Sequence, residues 1–357
     1  MHGIRMWRRG RHPVHGLPFE AVVPNQLGDE WRAMALARRF GSMRKVLQRD
    51  LLMLGIGQAG LCVERVPDGT RKVLWFYNWS TLGDSVMDLS ARFSIPAAIR
   101  LDLCIAAPLA ELYRSDLRFG RVFEHLADCD RDYDFVLVHA LSTESLIGKR
   151  RHLRRVPFAP VLNYSMGEHF ARAAFVDARV RHLFQQPQAP APTPSLNLGE
   201  PSASSGETFD VAVALGARDS RRAFPHWNAT LRKILACWPN AGPPLRFRLL
   251  GSANASAELA TLSEAVRERS EDLVAGTTLT EAAHAVRDCA AFLGTDGGLM
   301  HIAAALGKPG LALFTQIDPS MRLAAGVPMR SLVGDPTMAD LSADTVAAAF
   351  LAACDSR

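Results

Sequence analysis

The residues best suited to chemistry lie in one short segment, Gly294–Pro309, which reads as a strand end, a glycine turn and an alanine-rich helix. Gly297 and Gly298 would let the backbone approach a ligand closely, and the free N–H groups at a helix start favour an anion. Because a carboxylate repels phosphate, Asp296 is expected either to cap the helix or to accept the hydroxyl groups of a sugar. His301, on the first turn, is expected either to bond a phosphate or to pack and bond a carbonyl.

Two more polar side chains follow predicted strands. Asp84 comes after the first strand, where a carboxylate could take a proton from a hydroxyl group; the alternative is that it caps a helix over 85–93. Arg222 belongs to a basic loop after a later strand. An arginine there could neutralise a diphosphate with paired donors, or belong to a merely solvated loop.

Alternating strand and helix patterns begin at Arg71 and predict parallel sheets covered on both faces. A Pro/Ala/Ser-rich stretch at 186–207 is the best linker in the sequence. We therefore predict two Rossmann-like domains, at 71–185 and 208–325. An irregular basic extension at 1–70 and a helical tail at 326–357 would flank them.

Composition narrows the class of protein. A chain of 357 residues with 48% hydrophobic and 22% charged residues fits a globular protein of two domains. The formal net charge of +5 favours anionic partners. Six cysteines without a Cys-x-x-Cys pair suggest reduced thiols of a cytoplasmic protein, and no metal site is expected. Basic residues around Trp7 could touch an anionic membrane, or form only a disordered tail.

The segment Gly55-Ile56-Gly57-Gln58-Ala59-Gly60 matches the glycine pattern of dinucleotide-binding folds. That fold requires a long helix next, but a Pro-Asp-Gly turn at 67–69 interrupts it. Tyr77 stands where the ribose-binding acid would be expected. The context fails, so nicotinamide binding is not predicted.

From about Arg71 to Arg322 the chain resembles glycosyltransferase family 9, the ADP-heptose:lipopolysaccharide heptosyltransferases. The Asp-Gly-Gly turn, the histidine, the alanine-rich helix and the Gly-x-Pro that follows resemble the donor-site motif of that family. Leu82-Gly83-Asp84 resembles the pattern whose Asp is proposed as general base. The segment 222–225 resembles Lys-x-Trp-Pro, with Arg222 at the lysine, and Gly251-Ser252 resembles a Gly-Gly turn.

This resemblance implies the GT-B architecture, two Rossmann-like domains facing a central cleft. It implies inverting transfer of a heptose from ADP-heptose to a saccharide acceptor, with no cofactor, in a cytoplasmic protein at the inner face of the bacterial inner membrane. A lipid-linked acceptor is compatible with it, and nucleic acid is not an expected partner. It assigns a catalytic role to Asp84. The donor-binding residues it implies are Arg222, Ser252, Thr295, Asp296, Gly297, Gly298 and His301.

Two departures from the family pattern keep alternatives open. Arg222 replaces a lysine, and the segment 314–317 reads Phe-Thr-Gln-Ile where the family has Phe-Gly-Pro-Thr. One alternative is a GT-B transferase that uses another nucleotide sugar or a protein acceptor. The other is a degenerate, non-catalytic homologue that binds glycans.

Overall fold

The computed structural model describes residues 36–162, 171–187, 189–200, 207–217 and 219–355. The chain divides into two units, Met1–Pro192 and Thr193–Arg357. The N-terminal arginines and Trp7, to which membrane contact was ascribed, lie outside the described residues. Residues 201–206 of the predicted linker lie outside them as well.

The first unit contains a five-stranded sheet with the order β3-β2-β1-β4-β5, in which every pairing is parallel. Its strands are β1 (Lys72–Tyr77), β2 (Arg100–Ile105), β3 (Phe119–Phe123), β4 (Phe135–Ala140) and β5 (Phe158–Leu162). Its α-helices are α1 (Leu36–Gly55), α2 (Leu82–Asp88), α3 (Ala107–Ala110), α4 (Thr143–His152) and α5 (Arg172–Leu183).

Local sequence explains why these elements form. All six residues of β4 are buried, as expected for an apolar run in a parallel sheet covered on both faces. Helix α4 begins with a capping box, in which Ser142 and Ser145 each bond the other's backbone N–H. Within the segment expected to be an irregular extension, α1 packs Met53 into the core of this unit. Cys62 forms a parallel bridge with Phe158 at the edge of the sheet.

The second unit contains a six-stranded parallel sheet with the order β11-β10-β9-β6-β7-β8. Its strands are β6 (Phe209–Ala214), β7 (Leu245–Leu250), β8 (Ser270–Asp272), β9 (Ala291–Thr295), β10 (Gly310–Thr315) and β11 (Met329–Gly334). Its α-helices are α6 (Trp227–Cys237), α7 (Ser256–Ala260), α8 (Glu264–Arg267), α9 (Leu279–Asp288), α10 (Gly298–Ala305) and α11 (Ala343–Cys354).

The second unit differs from the sequence expectations in two places. The sequence of residues 257–268 predicts one helix, but the segment forms the two short helices α7 and α8. The segment 326–357, expected to be a helical tail, contributes β11 to the sheet and packs Phe350 of α11 into the core. The apolar face of α11 is therefore buried against the same sheet that carries the glycine turn.

The order of strands reverses direction once in each sheet. The reversal falls between β1 and β4 in the first unit and between β6 and β9 in the second. Ligands of open α/β sheets bind at the carboxyl ends of the strands at such a point. The segments that follow three of these strands, β1, β6 and β9, contain Asp84, Arg222 and Asp296 respectively.

The Gly-x-Gly-x-x-Gly segment at 55–60 follows helix α1, whereas a dinucleotide site requires a strand before it. Gly57 has a positive φ of 69°, so it serves a turn. Within the described ranges, no helix has the length and apolar character needed to cross a bilayer. The six cysteines are free thiols.

Candidate active site

Three loops of the second unit pack tightly at the carboxyl ends of β6, β7 and β9. Gly216 has a φ of 73°, and a Cβ added there would lie 2.9 Å from the Cα of Ala255. A Cβ at Gly251 would lie 2.5 Å from the Cβ of Ala255. Thr295 Oγ1 lies 3.5 Å from the carbonyl oxygen of Gly216. Glycine is therefore required at positions 216 and 251 because the loops approach one another so closely.

Arg222, Asp296 and His301 come together beside this junction. Arg222 Nη1 lies 3.2 Å from Asp296 Oδ2, and His301 Nε2 lies 3.9 Å from Asp296 Oδ1. Asp296 and His301 are buried, whereas the Arg222 side chain is 27% exposed. The cluster thus offers a cation at the surface that a buried carboxylate holds in place.

The sequence-based alternative that Asp296 caps the helix is wrong. Helix α10 begins at Gly298, and its N-cap is Gly297, with extended backbone and no side-chain capping bond. Asp296 lies one residue earlier, and its carboxylate faces Arg222 instead. Asp296 is therefore not the N-cap residue of α10, and the N–H groups at a helix N-terminus have a general tendency to bind an anion.

Gly297 is not required by the packing of the protein itself. Its φ of −171° is accessible to any residue. A Cβ added there would meet the carbonyl oxygen of Thr295 at 3.7 Å, an ordinary van der Waals distance. Glycine at this position leaves the space beside the start of α10 without a side chain.

The backbone around Arg222 is anchored on both sides. Phe224 is fully buried and packs edge-to-face on Trp227, with the ring centroids 5.1 Å apart. Asp219 accepts a hydrogen bond from the backbone N–H of Arg221 and forms an ion pair of 2.6 Å with its side chain. Arg221 thus pairs with Asp219, and Arg222 pairs with Asp296.

Replacement of Arg222 with alanine should weaken the binding of ADP by about 1.5–3 kcal/mol, the range for hydrogen bonds to charged groups. The matched control is Arg221→Ala, which removes an adjacent, more exposed arginine that is paired with Asp219. Isothermal titration calorimetry measures both variants. Equal losses for the two would indicate a general charge effect, and no loss for Arg222→Ala would place the phosphates elsewhere.

Two other segments of the predicted donor site have local partners. Ser252 donates a hydrogen bond of 2.6 Å to Asn254 Oδ1 within its own loop. In the segment 314–317, whose sequence differs from the family pattern, Gln316 has a φ of 58°. Its Nε2 donates a hydrogen bond to the carbonyl oxygen of Pro336. Arg221 Nη1 also donates to Gln316 Oε1 at 3.4 Å, so this segment adjoins the loop that carries Arg222.

In the first unit, Asp84 does not cap helix α2. The helix begins at Leu82 after the N-cap residue Thr81, so Asp84 lies within its first turn. Its carboxylate is 25% exposed, and its Oδ1 lies 3.2 Å from Arg172 Nη1. The candidate base is therefore a partly exposed carboxylate in contact with a buried guanidinium.

Arg172 makes a two-point contact with a second carboxylate, Asp88. Arg172 Nε donates to Asp88 Oδ1 at 2.6 Å and Nη2 donates to Oδ2 at 2.8 Å. Asp88 Oδ2 also accepts a bond of 3.0 Å from the Tyr77 hydroxyl group and lies 2.8 Å from His139 Nε2. Asp88 and His139 are fully buried, and Asp88 lies four residues after Asp84 on helix α2.

The charge states in this cluster follow from burial and proximity. Burial alone would raise the pKa of Asp88, but Arg172 and His139 outweigh burial and lower that pKa to about 2. Burial lowers the pKa of His139 from its usual value, although the nearby Asp88 carboxylate opposes the shift. Burial also lowers the pKa of Arg172, but the Asp88 carboxylate outweighs it and the net pKa is raised. Asp88 and Arg172 are thus an ionised pair.

Sequence reasoning missed Arg172, Asp88 and His139. The spacing of Asp84 and Asp88, four residues apart on one helix, could have indicated two carboxylates on one face. His139 lies near the end of a strand at the reversal point, which is a second available signal. Nothing local identified Arg172, because its partner Asp88 is 84 positions away.

A cavity of about 570 Å³ lies at the carboxyl ends of β1 and β2. Its lining includes Asn78, Trp79, His125 and His152. The guanidinium of Arg172 stacks on the ring of Trp79, with its carbon 4.4 Å from the ring centroid. Trp79 thus forms part of the cavity wall and also contacts the arginine that pairs with Asp84.

Solved structures of similar fold define the class of the fold. The chain is similar to E. coli ADP-heptose lipopolysaccharide heptosyltransferase II, with a TM-score of 0.59 and 20% identity over 78% of this chain and 96% of that one. It is similar to a family 9 glycosyltransferase of Veillonella parvula, with a TM-score of 0.62 and 12% identity over 80% and 96%. It is also similar to a second E. coli heptosyltransferase, solved with ADP, with a TM-score of 0.56 and 17% identity over 77% of this chain and 97% of that one. The predicted GT-B fold of two Rossmann-like sheets is confirmed.

The family follows from the sequence profile. The model of glycosyltransferase family 9 (heptosyltransferase) matches residues 137–329, more than half of the chain. The chain belongs to glycosyltransferase family 9, and the enzyme class predicted from the sequence is confirmed. A curated relative, lipooligosaccharide heptosyltransferase 2 of Haemophilus influenzae, is 41% identical over 58 residues. That alignment spans 16% of this chain and 17% of the relative.

Proposed function

We propose that the protein transfers a heptose from ADP-heptose to a saccharide acceptor of the lipopolysaccharide type, with inversion at the anomeric carbon. The observation that carries this proposal is the pairing of Arg222 with Asp296 directly before the N-terminus of α10. It brings together a cation, the backbone N–H groups at a helix start and a carboxylate, the groups needed for a diphosphate and a sugar. Two of the similar structures, an ADP-heptose heptosyltransferase and a heptosyltransferase solved with ADP, support this choice of donor.

On the donor side, Arg222 and the first N–H groups of α10 bind the diphosphate and stabilise the charge that develops on departing ADP. A guanidinium has five N–H donors, so Arg222 can contact a phosphate while it keeps its bond to Asp296. Asp296 accepts hydroxyl groups of the sugar, and His301 donates to a phosphate oxygen. Three further residues complete the proposed donor contacts: Ser252, Thr295 and Gly298.

On the acceptor side, Asp84 takes the proton of the attacking hydroxyl group. The acceptor oxygen forms a bond to the anomeric carbon while the bond from that carbon to the phosphate oxygen of ADP breaks. Single displacement of this kind inverts the configuration. The cavity beside Trp79 is the proposed acceptor pocket, since an indole ring and two histidines suit a saccharide that needs both stacking and hydrogen bonds.

For a lipid-linked acceptor, we propose that the protein acts as a peripheral protein at the inner face of the bacterial inner membrane. Its formal net charge of +5 supports contact with anionic lipid headgroups.

A panel of nucleotide sugars tests the donor. ADP-heptose at 100 times its dissociation constant should stabilise the protein by about 2.7 kcal/mol, and UDP-glucose or GDP-mannose should give less at equal concentration. Thermal denaturation with each compound measures this. Turnover is then followed as ADP release with a deacylated, heptose-deficient lipooligosaccharide. Greater stabilisation by a different nucleotide sugar would identify that compound as the donor. Binding without ADP release would support the non-catalytic alternative.

A further inference from the structure

One guanidinium connects both carboxylates of helix α2. Arg172 contacts Asp88 through Nε and Nη2, and it contacts Asp84 through Nη1. We propose that Arg172, held by Asp88, is a positioning residue that fixes the carboxylate of Asp84 for proton transfer. This inference rests on the proposed role of Asp84 as the general base.

The geometry of arginine makes this arrangement directional. A guanidinium is planar and rigid, so two bonds to one carboxylate fix the place of the third nitrogen. The two bonds here are to Asp88, whose side chain is fully buried and bonded by the Tyr77 hydroxyl group. Nη1 is thereby held 3.2 Å from Asp84 Oδ1, and it restricts the orientation of that carboxylate.

Residues of several elements restrict the Arg172 side chain. Its guanidinium stacks on Trp79, which follows β1, and Arg172 is the first residue of helix α5. Asp88 adjoins His139 of β4, so the cluster spans both strands at the reversal point. Three charged groups meet here: the carboxylates of Asp84 and Asp88 and the Arg172 guanidinium. A precisely held base requires such a support, because misplacement by about 1 Å can cost about 10²-fold in rate.

The simpler account is that Arg172 only neutralises buried Asp88. Lysine distinguishes the two roles, because an ammonium keeps the charge but cannot contact two carboxylates through three fixed nitrogens. A purely neutralising role predicts that Arg172→Lys retains turnover. A positioning role predicts that turnover falls while donor binding does not.

The experiment compares Arg172→Lys and Asp88→Asn with wild type. The matched control is Arg181→Lys, which alters another arginine of α5 that pairs with Asp177 at 2.8 Å. ADP release from ADP-heptose is measured with the deacylated, heptose-deficient lipooligosaccharide, and folding is checked by circular dichroism. We expect kcat of Arg172→Lys to fall about 10–100-fold, within the range for a misplaced catalytic group. Its KM for ADP-heptose should stay within about twofold, and Arg181→Lys should resemble wild type.

A double variant tests whether Arg172 acts through Asp84. If it does, Arg172→Lys should slow the Asp84→Asn enzyme no further, because the group that it positions is already gone. An additional 10-fold loss in that background, or wild-type kcat in Arg172→Lys, would overturn the inference. Asp88→Asn, which keeps the shape of the side chain, supplies the same comparison should Arg172→Lys fail to fold. Wild-type enzyme without ADP release would instead refute the proposed function, and this inference with it.

Discussion

Replacement of Asp84 with asparagine is expected to reduce turnover by about 10²–10⁴-fold, the usual contribution of a general base. Asparagine keeps the shape of the side chain but cannot accept the proton of the acceptor hydroxyl group. Affinity for ADP-heptose should barely change, because Asp84 belongs to the first unit and the proposed donor site to the second. Single-turnover rates and calorimetric dissociation constants on one preparation measure both quantities.

The matched control for this change is Asp344→Asn. Asp344 also lies in the first turn of a helix and also pairs with a cation, Lys233, at 3.2 Å. Both variants lose a favourable charge at a helix N-terminus, an effect of about 0.3–1 kcal/mol on stability. Only Asp84→Asn should lose activity. Unchanged turnover in Asp84→Asn would leave this residue with a purely structural role.

Substitution of Gly297 by valine should weaken donor binding about a hundredfold or more. The protein tolerates a Cβ there, but two methyl groups beside the start of α10 would exclude a diphosphate from its N–H groups. Loss of two charge-assisted hydrogen bonds of about 1.5 kcal/mol each corresponds to that change in affinity. The melting temperature should stay near that of wild type, since the backbone at 297 is extended.

Gly242→Val is the control for this variant. A Cβ at Gly242 would meet a carbonyl oxygen, that of Pro239, at the same distance of 3.7 Å, away from the site. Its affinity for ADP, measured by calorimetry, should match wild type. If Gly297→Val binds ADP as tightly as wild type, the start of α10 is not part of the donor site. A large fall in the melting temperature of this variant would mean that the substitution disrupts the turn itself.

Much of the fold was predictable because its signals are local. The apolar run Val73–Tyr77 is typical of a buried strand, and β1 spans Lys72–Tyr77. The pattern before Gly307 predicted a short helix, and α10 ends at Ala305, with Gly307 at a positive φ of 66°. Apolar runs and helix-ending glycines determine local structure within a few residues, so they can be interpreted without knowing how the rest of the chain packs.

The capping alternatives for Asp84 and Asp296 were wrong for a related reason. A cap depends on the backbone angles of one residue, and helix boundaries read from sequence are uncertain by a few positions. At α2 the helix begins three residues earlier than expected, so Asp84 falls inside it. At α10 the helix begins after Gly297, so Asp296 falls outside it. In both cases the aspartate lies one to three residues away from the N-cap, and its carboxylate contacts an arginine.

The sequence by itself determined the two-domain α/β fold, its family, and the segments that carry Asp84, Arg222 and Asp296. Only the tertiary structure decided the partners of those residues. The order of strands places β6 beside β9, which brings Arg222 to Asp296, and it places β1 beside β4, which brings His139 to Asp88. Arg172 reaches both carboxylates of α2 from helix α5. Such contacts follow from the packing of distant elements, whereas periodicity along the chain records only which face of each element is buried.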